Sequence, residues 1–228
     1  VPYGKECRLM LAHFTTEAVV RKNEEGTDKI VLKYSSIKKL LDVLGLPAQR
    51  GKEVMEQLER FSTCMMSFEF KRERKYEFQK DDLLPEHFPE GFGRKGVMIW
   101  ENVKNVPFFS DVAIVRIEIT LGREFVEMAQ KHSIPIDYTI YKAITSPLGK
   151  DMYAWFVYKN NAVIGEEGIH ITRKMLVDQF YPDEKGFESQ YYARIIEEVR
   201  NIKDKYYKEL NVSITNDKNG LILKKSPA

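Results

Sequence analysis

FESQYYARIIEEVRNIKDKYYKELNVSITNDKNGLIL, residues 187 to 223, decides how the chain is read. Ile195, Val199, Ile202 and Tyr206 recur at helical spacing, which predicts a long amphipathic helix from Phe187 to Lys205 with that stripe buried. Two short apolar runs follow around Asn219 and Gly220, a pair suited to a tight turn between strands. Opposite the stripe stand Gln190, Arg194, Glu197 and Asn201, with the small Ser189 and Ala193 near the start, where a helix can approach base edges closely. An arginine fork matches guanine and a side-chain amide matches adenine, so Arg194 and either Gln190 or Asn201 are candidate base readers. Glu197, Glu198 and Asp204 repel phosphate, so this face is mixed rather than basic, while Lys218, Lys224 and Lys225 add positive charge around the hairpin.

The same order, helix then hairpin, is met near the other end. From Lys5 to Arg21 the residues Leu9, Met10, Phe14, Ala18 and Val19 predict a helix with one buried face, stopping between Asn23 and Gly26. Ile30 to Leu32 is a short strand, and Ser35 is placed to cap a helix carrying Ile37, Leu40, Leu41 and Leu44, which Gly45 and Pro47 end. A third helix, about Arg50 to Phe61, buries Val54, Leu58 and Phe61 and turns Arg50, Lys52, Gln57 and Arg60 outward. Those side chains suit phosphates and base edges, although for this helix taken alone a solvated face is the favoured explanation. Met65 to Phe78 alternates as a hairpin with Lys71, Arg72, Arg74 and Lys75 around Glu73 at its tip.

Between the two ends, Leu83 to Gly96 is rich in Pro and Gly and reads as a loop. Val97 to Trp100 and Val112 to Thr120 are strand-like and extend the first sheet. A helix over Gly122 to Lys131, burying Phe125, Met128 and Ala129, leads onward. Asp137 caps a short helix, and Ser146 with Pro147 opens an aromatic helix through Met152, Trp155, Phe156 and Lys159. Ile169 to Ile171 is a strand, and Thr172 caps a helix with Met175, Leu176 and Phe180. Both ends therefore run helix, glycine-bearing turn, strand, capped helix, turn, helix and hairpin. The expected fold is α+β, two tandem winged-helix modules: an N-terminal domain with an extended β-sheet over residues 1–121 and a C-terminal domain over 122–228.

A length of 228 residues suits one large or two small domains, and a net charge of +2 makes any nucleic-acid case depend on where charges sit. Cys7 and Cys64 lie far apart in apolar surroundings and are expected to be buried thiols. With no long apolar run and no secretory signal in the sequence, a cytoplasmic setting is expected and a membrane is not. Beginning at Val1 rather than Met, the chain reads as a trimmed piece of something longer.

Several stretches carry a resemblance. Pro2-Tyr3-Gly4 with Arg8-Leu9 and Thr16-Glu17-Ala18, then Glu53 to Arg60, Ile134 to Asp137, Ser146 to Trp155 and the closing Gly220 to Pro227 resemble the plasmid-encoded RepA replication-initiator family across nearly the whole chain. The resemblance implies a protein that binds repeated sites in double-stranded plasmid origin DNA through tandem winged helices, helps open the duplex, and recruits the host initiator and replicative helicase. It also implies a homodimer in equilibrium with a monomer. The chain departs from that pattern at Lys150, where the family shows an apolar residue, and at Tyr158-Lys159-Asn160, where it shows a Tyr-Arg pair.

Catalytic constellations are absent from the sequence. His13, His87, His132 and His170 are scattered without metal-binding spacing, and Gly149-Lys150 lacks the first glycine of a phosphate loop, Ile144 standing there. The expectation is a DNA-binding protein that is not an enzyme and uses neither metal nor cofactor. Its rivals are a winged-helix transcriptional regulator and, from another class, a metal-dependent nuclease or primase. If the hairpin tip lies along a DNA backbone, replacing Lys71, Arg72, Arg74 and Lys75 together by Ala should flatten the dependence of binding on salt for every duplex. Titrations between roughly 50 and 200 mM salt measure the slope, which falls by roughly 0.9 for each phosphate no longer neutralised.

Overall fold

Glycine and short polar residues punctuate the chain as its spacing requires. The computed structural model describes residues 3–27, 29–62, 65–69, 94–98, 100–105, 117–163, 165–182, 186–217 and 219–227, with the backbone alone at 62, 65–69, 94–98 and 100–105. Helix α1 (Gly4–Glu25) ends at Gly26, whose φ of 66° lets its amide close back on Lys22 O. Strand β1 (Val31–Tyr34) follows. Ser36, and not the expected Ser35, caps α2 (Ile37–Leu44), because Ser36 has the extended backbone and its hydroxyl accepts from Lys39 N. A single 3-10 turn (Ala48–Arg50) leads to α3 (Gly51–Ser62), which buries Val54, Leu58 and Phe61.

The strands beyond α3 differ from the expected hairpin. Strand β2 (Met65–Glu69) pairs antiparallel with β3 (Arg94–Met98), Met65 opposite Met98 and Glu69 opposite Arg94, a partner the expected hairpin did not include. Lys71, Arg72, Arg74 and Lys75, with Tyr76 to Phe78, lie outside the described residues. Strands β4 (Trp100–Asn105) and β5 (Ile117–Leu121) instead join β1 in an antiparallel sheet of order β1-β5-β4. Ile117, Ile119 and Leu121 face its core. Alternation marks each strand, but choosing its partner needs contacts far along the chain. Helix α4 (Arg123–His132) buries Phe125, Val126 and Ala129, and Gln130 Nε2 donates to Val19 O at 2.9 Å.

Residues 1–3 and 11–133 make one compact unit; residues 4–10 and 134–228 make the other. The division after Ser133, rather than near Leu121, follows from α4 packing into the first unit. Within the second, Asp137 caps α5 (Tyr138–Ala143), and Ser146 caps α6 (Pro147–Ala162), its hydroxyl accepting from Gly149 N at 2.8 Å. Strand β6 (Ile169–Thr172) runs into α7 (Arg173–Phe180), capped by Thr172. Helix α8 (Glu188–Asn201) continues as a π turn over Ile202–Tyr206. Strands β7 (Val212–Ile214) and β8 (Gly220–Leu223) complete an antiparallel sheet of order β6-β8-β7. In both three-stranded sheets the first strand stands at one edge and the last runs down the centre.

Two polar features hold this second unit. Arg8 makes a two-pronged ion pair with Asp151, Nε to Oδ1 at 2.6 Å and Nη2 to Oδ2 at 2.5 Å. Beside Asp151 in the chain, Lys150 is fully buried; its ammonium donates to the Tyr141 carbonyl and sits 4.7 Å from the centre of the Tyr141 ring. Burial pushes the Lys150 pKa down to about 8, and Lys5 and Arg8 push the same way against Glu6. Lys150→Met should therefore raise stability at pH 7 by on the order of 1–3 kcal/mol. The folded state gives up this proton near pH 8 and the unfolded state near 10.5, so stability of the unmodified chain rises across that window. Urea unfolding at pH 7 and pH 10 should show that rise, and Lys150→Met should lack it.

Candidate nucleic-acid interface

Helix α8 is anchored by one face and open on the other. Tyr192, Ile195 and Val199 are buried, and Ile202 continues the stripe into the π turn. Tyr206, expected in that stripe, is only half-buried. Opposite, Ser189, Gln190, Ala193, Arg194, Glu197 and Arg200 are all exposed, so four of the five α8 residues chosen from the sequence share an open surface. The fifth, Asn201, is half-buried, and its amide donates to Glu198 Oε2 at 3.4 Å. Spacing alone put Asn201 on the open face, whereas the α-helix ends there and passes into its π turn.

The β7–β8 turn is bound to this helix. Gly220 O accepts from Tyr192 Oη at 3.3 Å and from Thr215 N at 3.0 Å, with Thr215 Oγ1 3.2 Å away. Arg173, the first residue of α7, donates its backbone amide to Asn219 O at 2.6 Å. Its side chain forms an ion pair with Glu188 Oε1 at 2.7 Å and lies 5.2 Å from the Tyr192 ring centre. One residue thus ties the start of α7, the start of α8 and the turn together. Inside the turn, Asp217 Oδ1 accepts from Thr215 Oγ1 at 2.6 Å and Asn219 N at 3.0 Å, and the Thr215 hydroxyl first among these holds the Asp217 carboxyl below its ordinary pKa. Lys218 lies outside the described residues.

Between α8 and the end of β7 runs a groove of about 600 Å³ lined by Ala193, Glu197, Arg200, Ile214 and Asn216 among others. Arg200 went unnoticed in the sequence although it stands seven residues after Ala193, the spacing that returns a side chain to the same helical face. Arg173 and Tyr192 carried no sequence signal, since their partners are fixed only by the fold.

Helix α3 presents a different surface. Gln57, expected to face outward, is buried and its Oε1 accepts from Tyr3 N at 2.9 Å, because the start of the chain covers that flank. Arg50 pairs with Glu53 at 3.1 Å, and Arg60 pairs with Glu56 at 2.7 Å while lying 4.7 Å from the Tyr3 ring centre. Lys52 is exposed. The cations of this helix are thus answered largely by its own carboxylates. Cys7 is half-buried rather than buried, and Cys64 lies outside the described residues. Among the described residues no group of three or more His, Cys, Asp or Glu could hold a metal ion, and no helix is long and apolar enough to cross a membrane.

No protein-family model and no curated protein matches the chain. Among solved structures it is similar to RctB domains 2-3 (RctB-155-483), with a TM-score of 0.53 and 14% identity over 96% of this chain and 81% of that one. At that identity the likeness is one of fold. It supports a mixed arrangement of helices and small sheets of the kind described above.

A Cβ added at Gly220 would lie 2.4 Å from Ile171 O, a backbone atom of the neighbouring strand. Gly220→Ala should force β6 and β8 apart and cost about 1–3 kcal/mol, read as a lower urea midpoint.

Proposed function

We propose that this chain is a replication initiator that binds duplex DNA, each unit being a winged helix and α8 of the second unit being the base reader. The observation that carries the proposal is the open face of α8. Gln190, Ala193, Arg194 and Arg200 stand exposed on one side of a helix whose other side is buried, beside a turn pinned to it through Gly220. A buried helix back with an exposed row of amide, guanidinium and small side chains suits entry into a major groove. The matching strand order of the two sheets supports reading both units as winged helices, and the fold is similar to that of RctB domains 2-3.

The finer reading follows the sequence resemblance: a RepA-type plasmid initiator, acting in the cytoplasm, that binds direct repeats in an origin and helps open the duplex. It recruits the host initiator and helicase, exchanges between dimer and monomer, and needs neither cofactor nor metal for chemistry. In the first unit, ion pairing on α3 favours a supporting role for Arg50, Lys52 and Arg60 over base reading. Affinity then depends on cations elsewhere, since Glu197 and Glu198 stand among the reading residues.

Selection from a pool of random duplexes tests the proposal. The chain should retain one short motif, and in the natural origin that motif should recur as direct repeats; a lone palindrome would instead indicate a transcriptional regulator. Strand cleavage or primer synthesis on adding Mg²⁺ or Mn²⁺ would overturn the non-enzymatic reading. Arg194→Ala should weaken binding and relax preference at one base position by roughly 1–3 kcal/mol. Unchanged affinity and an unchanged motif would remove α8 as the reader.

A further inference from the structure

The charges on the open side of α8 alternate in sign and answer no neighbour. Arg194, Glu197, Arg200 and, in the π turn, Asp204 are all exposed, and steps of three or four residues keep them on one side. Elsewhere in the chain opposite charges at this spacing close on each other: Arg21 on Glu17 at 2.8 Å, Arg50 on Glu53 at 3.1 Å, Arg60 on Glu56 at 2.7 Å and Arg123 on Glu127 at 3.1 Å. On α8 none of the four side chains forms an ion pair or hydrogen bond with another described residue.

Two of these charges, Glu197 and Arg200, line the groove between α8 and β7, where Ala193, Ile196 and Ile214 supply the apolar surface. A run of like charge would suit phosphate, whereas plus, minus, plus, minus suits a surface of the opposite order. The same helix reversed is such a surface. Laid antiparallel on a copy of itself, Arg194 meets Asp204 and Glu197 meets Arg200, so each cation faces a carboxylate; a parallel copy would set like against like. A two-fold axis between identical chains gives the antiparallel arrangement. An added β-strand is a poorer occupant, because Val212 O on the edge strand β7 already accepts from Lys203 Nζ at 2.8 Å, and lysine on a sheet edge discourages pairing.

We infer that α8 packs antiparallel on α8 of a second copy of this chain, across a two-fold axis passing between Glu197 and Arg200, and closes the groove on both copies. The four charges set the register, while burial of Ala193, Ile196 and Ile214 supplies most of the affinity. Because the packed face is the one proposed to read bases, self-association and duplex binding exclude each other. That consequence rests on the proposed reading of α8; the pairing itself does not.

Sedimentation equilibrium of the whole chain without DNA, over a series of concentrations, tests the pairing. The unmodified chain should pass from monomer to dimer as concentration rises. Symmetry places each substitution twice in the interface, so Glu197→Arg alone and Arg200→Glu alone should each raise the dissociation constant about tenfold. Glu197→Arg combined with Arg200→Glu restores every opposition of sign and should recover the dimer, a result that loss of helix stability cannot produce. A chain that stays monomeric, single variants that dimerise as before, or a combined variant that does not recover overturns the interface, with the reading of α8 still decided by Arg194→Ala. Adding the duplex recovered by selection should then break the dimer. If dimers that pass the charge exchange persist on saturating duplex, the pairing stands and α8 is not the reader.

Discussion

The carbonyl of Gly220 is the point on which the second unit depends. It accepts from a tyrosine on α8 and from the amide of Thr215, while its Cα lies too close to Ile171 O for any side chain. A buried carbonyl satisfied in this way cannot shift without stranding two donors. The β7–β8 turn and α8 consequently form one surface. Arg173 extends the constraint to the start of α7, joining Asn219 O, Glu188 and the Tyr192 ring. A surface fixed in this way needs little further ordering on binding, which would otherwise cost affinity.

The segment after β8 is held in a similar way. Asn160 bonds Ser226 through both its carbonyl and its amide, at 2.8 and 3.2 Å, and both residues are buried. Lys225 Nζ donates to Asn160 O at 2.9 Å, and Tyr207 Oη donates to Pro227 O at 3.0 Å. These contacts fix the chain where it leaves the central strand of the sheet that supports the turn. Asn160 thus carries a structural role in this chain, whereas Lys150 places an ammonium where burial disfavours it.

On the open side of α8, Arg194 and Arg200 stand against Glu197, so that face is of modest charge. Under the function proposed above, specificity and affinity would then have different sources: a few base-edge contacts for the first, cations away from the helix for the second. The first unit shows why outward spacing is a weak guide to function. Its α3 carries the right residue types, yet Arg50 and Arg60 are engaged by carboxylates three and four residues away and Gln57 serves the chain start.

Much of the local structure could be read from the residues themselves. Apolar spacing located α1, α2, α3, α6 and α8, and Asp137, Ser146, Thr172, Gly26 and Gly45 marked helix ends, because helix period and capping are set within a few residues. The open face of α8 followed from the same periodicity. The tertiary structure alone decided the rest: that β2 pairs with residues 94–98, that α4 closes the first unit, that Gln57 and Lys150 are buried, and that Arg173, Tyr192 and Gly220 meet. Each of these joins residues distant in the chain, and periodicity records which way a side chain faces but not what comes to cover it.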